Sequence, residues 1–356
     1  MNYKFVPTGK RLLARPFVLA FFAVSFFMQH PGVALAEPET VTGEMSIEVT
    51  VDAPADNKDT KLWVPLPVTD KFQTIEDVKI EGNFAHQGVY KEKTTGNSMV
   101  FADWATAPTE QRRLTLSFKV STRQRINRDF VEDKSPIPAG VKSFLKDEIL
   151  VPTGGRVKKI SNGVVAGKEK ISDKARAVYD WVVDNTCRDP GVQGCGVGDV
   201  EQTLEKKSGK CVDISSVFIS VARAAGIPAR EVFGIRLGKE DGVSDMTKTH
   251  HCWIEYYVPG AGWVPADPAD VRKAILEKKL ENDPAEAAKY REYFFNAVDP
   301  YRVAVATGGR GYYLNPRQKG GPLNYFMYPY AEIDGKAVDW LAAQKELKYK
   351  ITFKKS

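Results

Sequence analysis

The chain has 356 residues, 43% hydrophobic and 27% charged, enough for two domains with real cores. Its formal charge of +6 is mostly local. Residues 1–36 hold four of the 51 Lys+Arg and none of the 45 Asp+Glu, which leaves 47 bases against 45 acids beyond them. That balance removes the main support for a nucleic-acid partner, and four cysteines without a C-x₂-C pair argue against zinc.

Lys4, Lys10, Arg11 and Arg15 precede the apolar run PFVLAFFAVSFF (16–27), and ALA (34–36) offers small residues before Glu37. This is the pattern of a secretory signal. The run falls short of the roughly 20 apolar residues of a membrane span. The expectation is an exported chain, periplasmic or secreted, with no stable span once residues 1–36 are removed.

From 37 to 128 the pattern is β-rich. Met45, Ile47, Val49 and Val51 alternate, as do Leu114, Leu116, Phe118 and Val120. Short apolar segments bounded by Pro, Asp and Gly lie between them, predicting a sandwich-like antiparallel domain. From 129 to 300 helices and strands mix. Ala175, Val178, Tyr179 and Val182 repeat at helical spacing, with Ser172 as an N-cap candidate. Strands are expected at 229–237 and 250–258, then a turn at PGAG, a strand from 263 and a charged helix over 270–295. Residues 301–356 read as strands and loops packed on that core. The fold class is α+β.

In an exported chain, cysteines raise the question of disulfides. Cys187 and Cys195 flank a Pro/Gly loop and are candidates for a bridge. Cys211 differs, because it opens an apolar helix with Ile214, Val217, Phe218, Val221, Ala222 and Ala225 on one stripe. Gly226 marks the stop, with Pro228 beyond it. The first turn presents unpaired N–H groups and the positive end of the helix dipole, which favour a thiolate and an oxyanion beside it. A thiolate nucleophile needs a base. Past the signal the histidines are His86, in the β-rich region, and the adjacent pair His250 and His251. Strand alternation puts His251, Trp253 and Glu255 on one face and His250, Cys252 and Ile254 on the other. A returning strand at 263–270 brings Asp267 or Asp270 near the histidines as the group that orients the imidazole. Asp267 is preferred, because Pro268 and the helix pattern end the strand before Asp270.

The stretches GKCVDISSVFISVARAAGIPAREVFGIR and HHCWIEYYVPGAGWVPADPAD resemble the transglutaminase-like superfamily of papain-type cysteine enzymes. They carry the Gly-x-Cys that opens a helix, RAxGIPAR leading into a strand, His-x-Trp, Gly-Trp and Asp-Pro. The resemblance runs from Gly209 to about Asp270. It implies a papain-like core, a cysteine-bearing helix packed on an antiparallel sheet, with Cys211 as nucleophile, His251 as general base and Asp267 as orienting acid. It also decides between the histidines, since Trp253 follows His251 by two.

What the resemblance implies chemically is attack on amide bonds of proteins or peptides, cell-wall peptides among them, through a thioester. Water or an amine then takes the acyl group. No cofactor or metal is expected; the calcium found with some members lacks an Asp-rich loop here. The family's small residue between His and Trp is Cys252 in this chain. The rival reading is a non-catalytic binding or assembly module on the same fold.

Overall fold

The strand Thr40–Asp52 buries every second residue, Met45, Ile47, Val49 and Val51 among them. It is the centre of a five-stranded antiparallel sheet, between Leu347–Lys355 and Gln111–Arg123. Ile47 stands opposite both Ile351 and Leu116, so the inward rows continue across three strands. Gln73–Gly82 and Gly242–Asp245 form the edges. A second five-stranded antiparallel sheet contains Lys336–Ala337, Tyr330–Ile333, Thr60–Pro65, Ser98–Asp103 and His86–Lys91. Leu62, Val64 and Val100 share one buried cluster with the inward residues of the first sheet, the arrangement by which two half-apolar sheets exclude water. A computed structural model describes residues 40–53, 59–104, 111–339, 341 and 347–356. The expected signal segment, 1–36, lies outside them. Among the described residues no helix is long and apolar enough to cross a membrane.

The third sheet is four-stranded and antiparallel, in the order Gly262–Ala266, His250–Val258, Ala229–Arg236 and Arg302–Gly308. The fold is therefore mixed α and β, with helices on an antiparallel sheet after a β-rich region. The chain's last stretch is shared out. Arg302–Gly308 joins the histidine-bearing sheet, whereas Tyr330–Ile333 and Leu347–Lys355 pair with Thr60–Pro65 and Thr40–Asp52.

Helix Cys211–Ala224 is buried on every side, not only along its apolar stripe. Each buried Val, Ile or Phe is worth about 1.5–3 kcal/mol relative to exposure. The polar residues that join them need internal partners. Ser216 Oγ donates to Val212 O at 2.5 Å, and Arg223 donates to Ala229 O at 3.0 Å and pairs with Glu148 at 3.0 Å. Gly226, at φ +84°, turns the chain out as Ile227 N–H returns to Ala222 O at 3.0 Å.

Two local expectations change. Helix Ile171–Asn185 begins after Lys170, and Ser172 is not its cap. Glu132 reaches in and accepts from the N–H groups of Ile171 and Ser172 at 2.7 and 2.9 Å, a carboxylate taking the acceptor role at the positive helix end. The helix expected over 270–295 is two, Pro268–Lys278 and Pro284–Tyr293. Lys279 lies at φ +55°, and Asp283 then caps the second helix through Glu286 N–H.

Candidate active site

The start of the cysteine helix is built by Asp213. Its carboxylate accepts from Lys210 N–H at 2.9 Å and from Gly198 N–H at 2.7 Å, closing the helix end and tying down the preceding loop. Gly209 is needed for this, because a Cβ there would stand 2.4 Å from Asp213 Cβ. Cys211 is thereby fixed in the first turn, 1% exposed.

His251, the second residue of its strand, turns its Nε2 to Asp267 Oδ2 at 2.7 Å. A carboxylate only accepts, so Nε2 carries the hydrogen. The ring also helps to hold the Cys211 thiol in its ionised form, while the thiol's hydrogen bond runs to Cys195 O at 3.9 Å. Asp267 is the N-cap of helix Pro268–Lys278, and its other oxygen accepts from Asp270 N–H at 2.9 Å. Strand end and helix start thus coincide at Asp267, and the two duties fall to its two oxygens. Cys211, His251 and Asp267 stand together, all buried.

Electrostatics favour charge separation. The thiols of Cys195 and Cys252, then His251, hold the Cys211 thiol well below its ordinary range against the opposing effect of burial. For His251, burial and the Arg236 guanidinium press downward. Asp270 and Asp267 outweigh them, and the imidazole is held above its usual value. A thiolate beside an imidazolium is the activated form of such a pair.

Several participants were not legible in the sequence. Arg302 donates to Asp267 Oδ2 at 2.5 Å, to Asp270 at 2.7 Å and to Asp299 at 2.6 Å. Arg236 forms a two-point pair with Asp270. Arg236 and Arg302 sit on neighbouring strands, far from Asp267 along the chain. Asp270, the alternative to Asp267, lies 3.7 Å from His251 Nε2. His251, Asp267 and Asp270 offer three ligand atoms within 4.8 Å of one another. The guanidiniums of Arg302 and Arg236 already neutralise those carboxylates and oppose a cation there.

The cysteines depart from expectation. All four are free thiols, so the Cys187–Cys195 bridge is absent. Cys187 is exposed and accepts from Arg272 at 3.3 Å. The loop lays Cys195 against the cysteine helix, where its carbonyl accepts from Val212 N–H at 3.0 Å and its thiol donates to His250 O at 3.2 Å. Alternation also put Cys252 on the face away from His251 and hence from Cys211. Yet Cys252 lies within reach of the Cys211 thiol and donates to Glu231 at 3.3 Å. The cysteine helix covers the face that carries Cys252, Ile254 and Tyr256. The neighbouring ladder slips at Phe233/Gly234, and Gly234 is the residue opposite His251. A bulge of this kind re-aims side chains.

Beneath Cys252, Arg310 pairs with Glu231 at 2.6 Å and donates to Ser216 at 2.6 Å. Burial pushes the Glu231 carboxyl up to about 7, against the pull of Arg310.

Residues 158–268 match the transglutaminase-like superfamily. The chain belongs to that superfamily. An uncharacterized protein of Haemophilus influenzae is 34% identical over 321 residues, covering 83% of this chain and 86% of that protein. A protein-glutamine gamma-glutamyltransferase of Pseudomonas aeruginosa is 33% identical over 110 residues, 30% of this chain but 16% of that larger protein. Among solved structures, a provisionally named cysteine protease of Cytophaga hutchinsonii shares the fold. Its TM-score is 0.57 at 17% identity, over 88% of this chain and 90% of that one.

Proposed function

We propose that this transglutaminase-like protein is an exported thiol enzyme that acts on amide bonds of proteins or peptides. The observation that carries the reading is the buried 2.7 Å contact of His251 Nε2 with Asp267, beside a cysteine in the first turn of a helix. Cys211 thiolate attacks the amide carbonyl carbon. Lys210 and Val212 N–H are committed to Asp213 and Cys195 O, so the oxyanion falls to the amide of Cys211 itself, at the positive helix end. His251 imidazolium gives its proton to the leaving nitrogen, and a thioester remains. Neutral His251, oriented by Asp267, then takes a proton from water or an amine that attacks the thioester, and the thiol is released.

Water as acceptor makes the enzyme a peptidase or amidase, and an amine makes it an acyltransferase. The glutamyltransferase likeness supports transfer, and the protease likeness of the longer structural match supports hydrolysis. A glutamine peptide offered with a labelled amine separates them: incorporation means transfer, and cleaved or deamidated product alone means hydrolysis. Turnover retained by Cys211→Ala, or a Cys211 that alkylates no faster than a free thiol at neutral pH, would sink the reading in favour of a non-catalytic module.

A further inference from the structure

Beside the nucleophile lies a cavity of about 280 Å³ that the chemistry above leaves unused. Its walls include Cys195, Lys210, His250 and Tyr328, so it abuts the residues that directly precede Cys211 and His251. Arg188 and Lys248 complete a set of three cationic side chains, and no acid lines it among the described residues. Arg188 is held in place by a short parallel bridge to Gly209, two residues before the nucleophile.

The nearby acids are engaged elsewhere. Asp189 accepts from Gly191 N–H at 2.8 Å, and Asp213 closes the cysteine helix. Asp245 is turned to the Thr247 N–H at 2.9 Å. Among the described residues none of the three cations has an ion-pair partner within 4.0 Å. Asp245 feels Lys248 at longer range without pairing with it. Three like charges lining one concavity with no ion-pair partner repel one another, and a bound anion relieves that.

A second observation is independent of charge. His250 is 9% exposed, lines the cavity, and leaves its buried Nε2 without a hydrogen-bond partner. Its ring is fixed between Tyr328, at 4.4 Å, and Tyr349, at 5.8 Å. An orphaned buried polar atom is costly unless something fills it. Burial holds this imidazole neutral, down to about 4, with the Thr247 backbone engaging the ring. The free nitrogen is then an acceptor, suited to an N–H.

We propose that the cavity is a substrate subsite for a carboxylate with a neighbouring N–H, so that the amides handled at Cys211 belong to peptides bearing a free carboxylate close to the reacting bond. The inference rests on Cys211 being the nucleophile. Arg188, Lys210 and Lys248 hold the carboxylate, and His250 Nε2 accepts from the adjacent peptide N–H.

Iodoacetate and iodoacetamide are the probes, one anionic and one neutral, reacting with the same sulfur. Site-mapped alkylation of the full chain gives the iodoacetate-to-iodoacetamide rate ratio at Cys211, with glutathione as reference. The expected ratio exceeds that of glutathione by on the order of threefold to tenfold. It falls towards the glutathione value in Lys248→Gln and in Arg188→Gln, while the iodoacetamide rate holds. In turnover the same variants raise KM for a carboxylate-bearing peptide amide and leave its carboxamide twin unchanged. A ratio equal to glutathione's, or one untouched by either substitution, overturns the subsite while leaving Cys211 a nucleophile. A Cys211 that reacts with neither reagent overturns the nucleophile and the subsite together.

Discussion

Arg302 and His251 share one oxygen. Asp267 Oδ2 accepts from Arg302 at 2.5 Å and faces His251 Nε2 at 2.7 Å. The carboxylate that orients the imidazole is therefore itself oriented by a guanidinium, which also holds Asp270 and Asp299. Removing it leaves three neighbouring carboxylates, Asp267 and Asp270 buried and Asp299 partly so, with Arg236 on Asp270 the guanidinium that remains. Arg302→Gln is expected to lose about 3–5 kcal/mol of stability, read as a lowered urea midpoint. Arg302→Lys keeps the charge but loses the fork, and is expected to fall between the two. Equal midpoints for all three proteins would show that the cluster is not held this way.

The lowered Cys211 thiol and raised His251 imidazole set the pH dependence of alkylation. A depressed thiol is already thiolate where an ordinary one is protonated, so the rising limb of the iodoacetamide rate lies below that of a free thiol. Cys252→Ala removes a neighbouring S–H, and Asp267→Asn removes a charge that favours the imidazolium. Both are expected to move the limb to higher pH. Asp267→Asn is also expected to cut turnover by on the order of 10²-fold or more, from loss of imidazole orientation. A limb unmoved by either substitution would contradict this assignment of the charges.

Glu231 gives a stability test with a definite sign. Its folded value, about 7, lies above the ordinary 4.5. The folded state thus keeps a proton that the unfolded chain releases. That contribution is fully present below about 4.5 and is lost as pH rises through about 7. Relative to Glu231→Gln, which cannot titrate, wild-type stability is expected to fall by roughly 3 kcal/mol across that window. Urea midpoints at pH 4.5, 6 and 8 read it; a difference constant with pH is the contrary result.

Gly234 stands opposite His251, and a Cβ there would lie 2.4 Å from Val303 O and 2.8 Å from the Trp253 ring. Because backbone cannot yield as a flexible side chain does, Gly234→Ala is expected to cost about 1–3 kcal/mol and to slow Cys211 alkylation by displacing the histidine strand. Gly226→Ala serves as the control. It is strained by its φ of +84° but has open space around it and is distant from the site. Its expected effect is on stability alone.

The features legible in the chain before folding were local and periodic. Alternation of Met45 to Val51 and Leu114 to Val120 specified half-buried strands. The stripe from Cys211 to Ala225, ended by Gly226, specified the helix. The order Cys, His, Asp marked which side chains to compare, because each motif lies within a few residues of chain. Tertiary structure decided what depends on packing between distant segments. Arg302 reaches Asp267 from a strand 35 residues on, and Glu132 caps a helix in place of Ser172. Cys195 and Cys252 stand beside Cys211 as free thiols, although one was a candidate for a bridge and the other was expected on the far face. Periodicity fixes a side chain's direction relative to its own strand or helix; which element covers that face, and at what register, is set by the packing of the whole core.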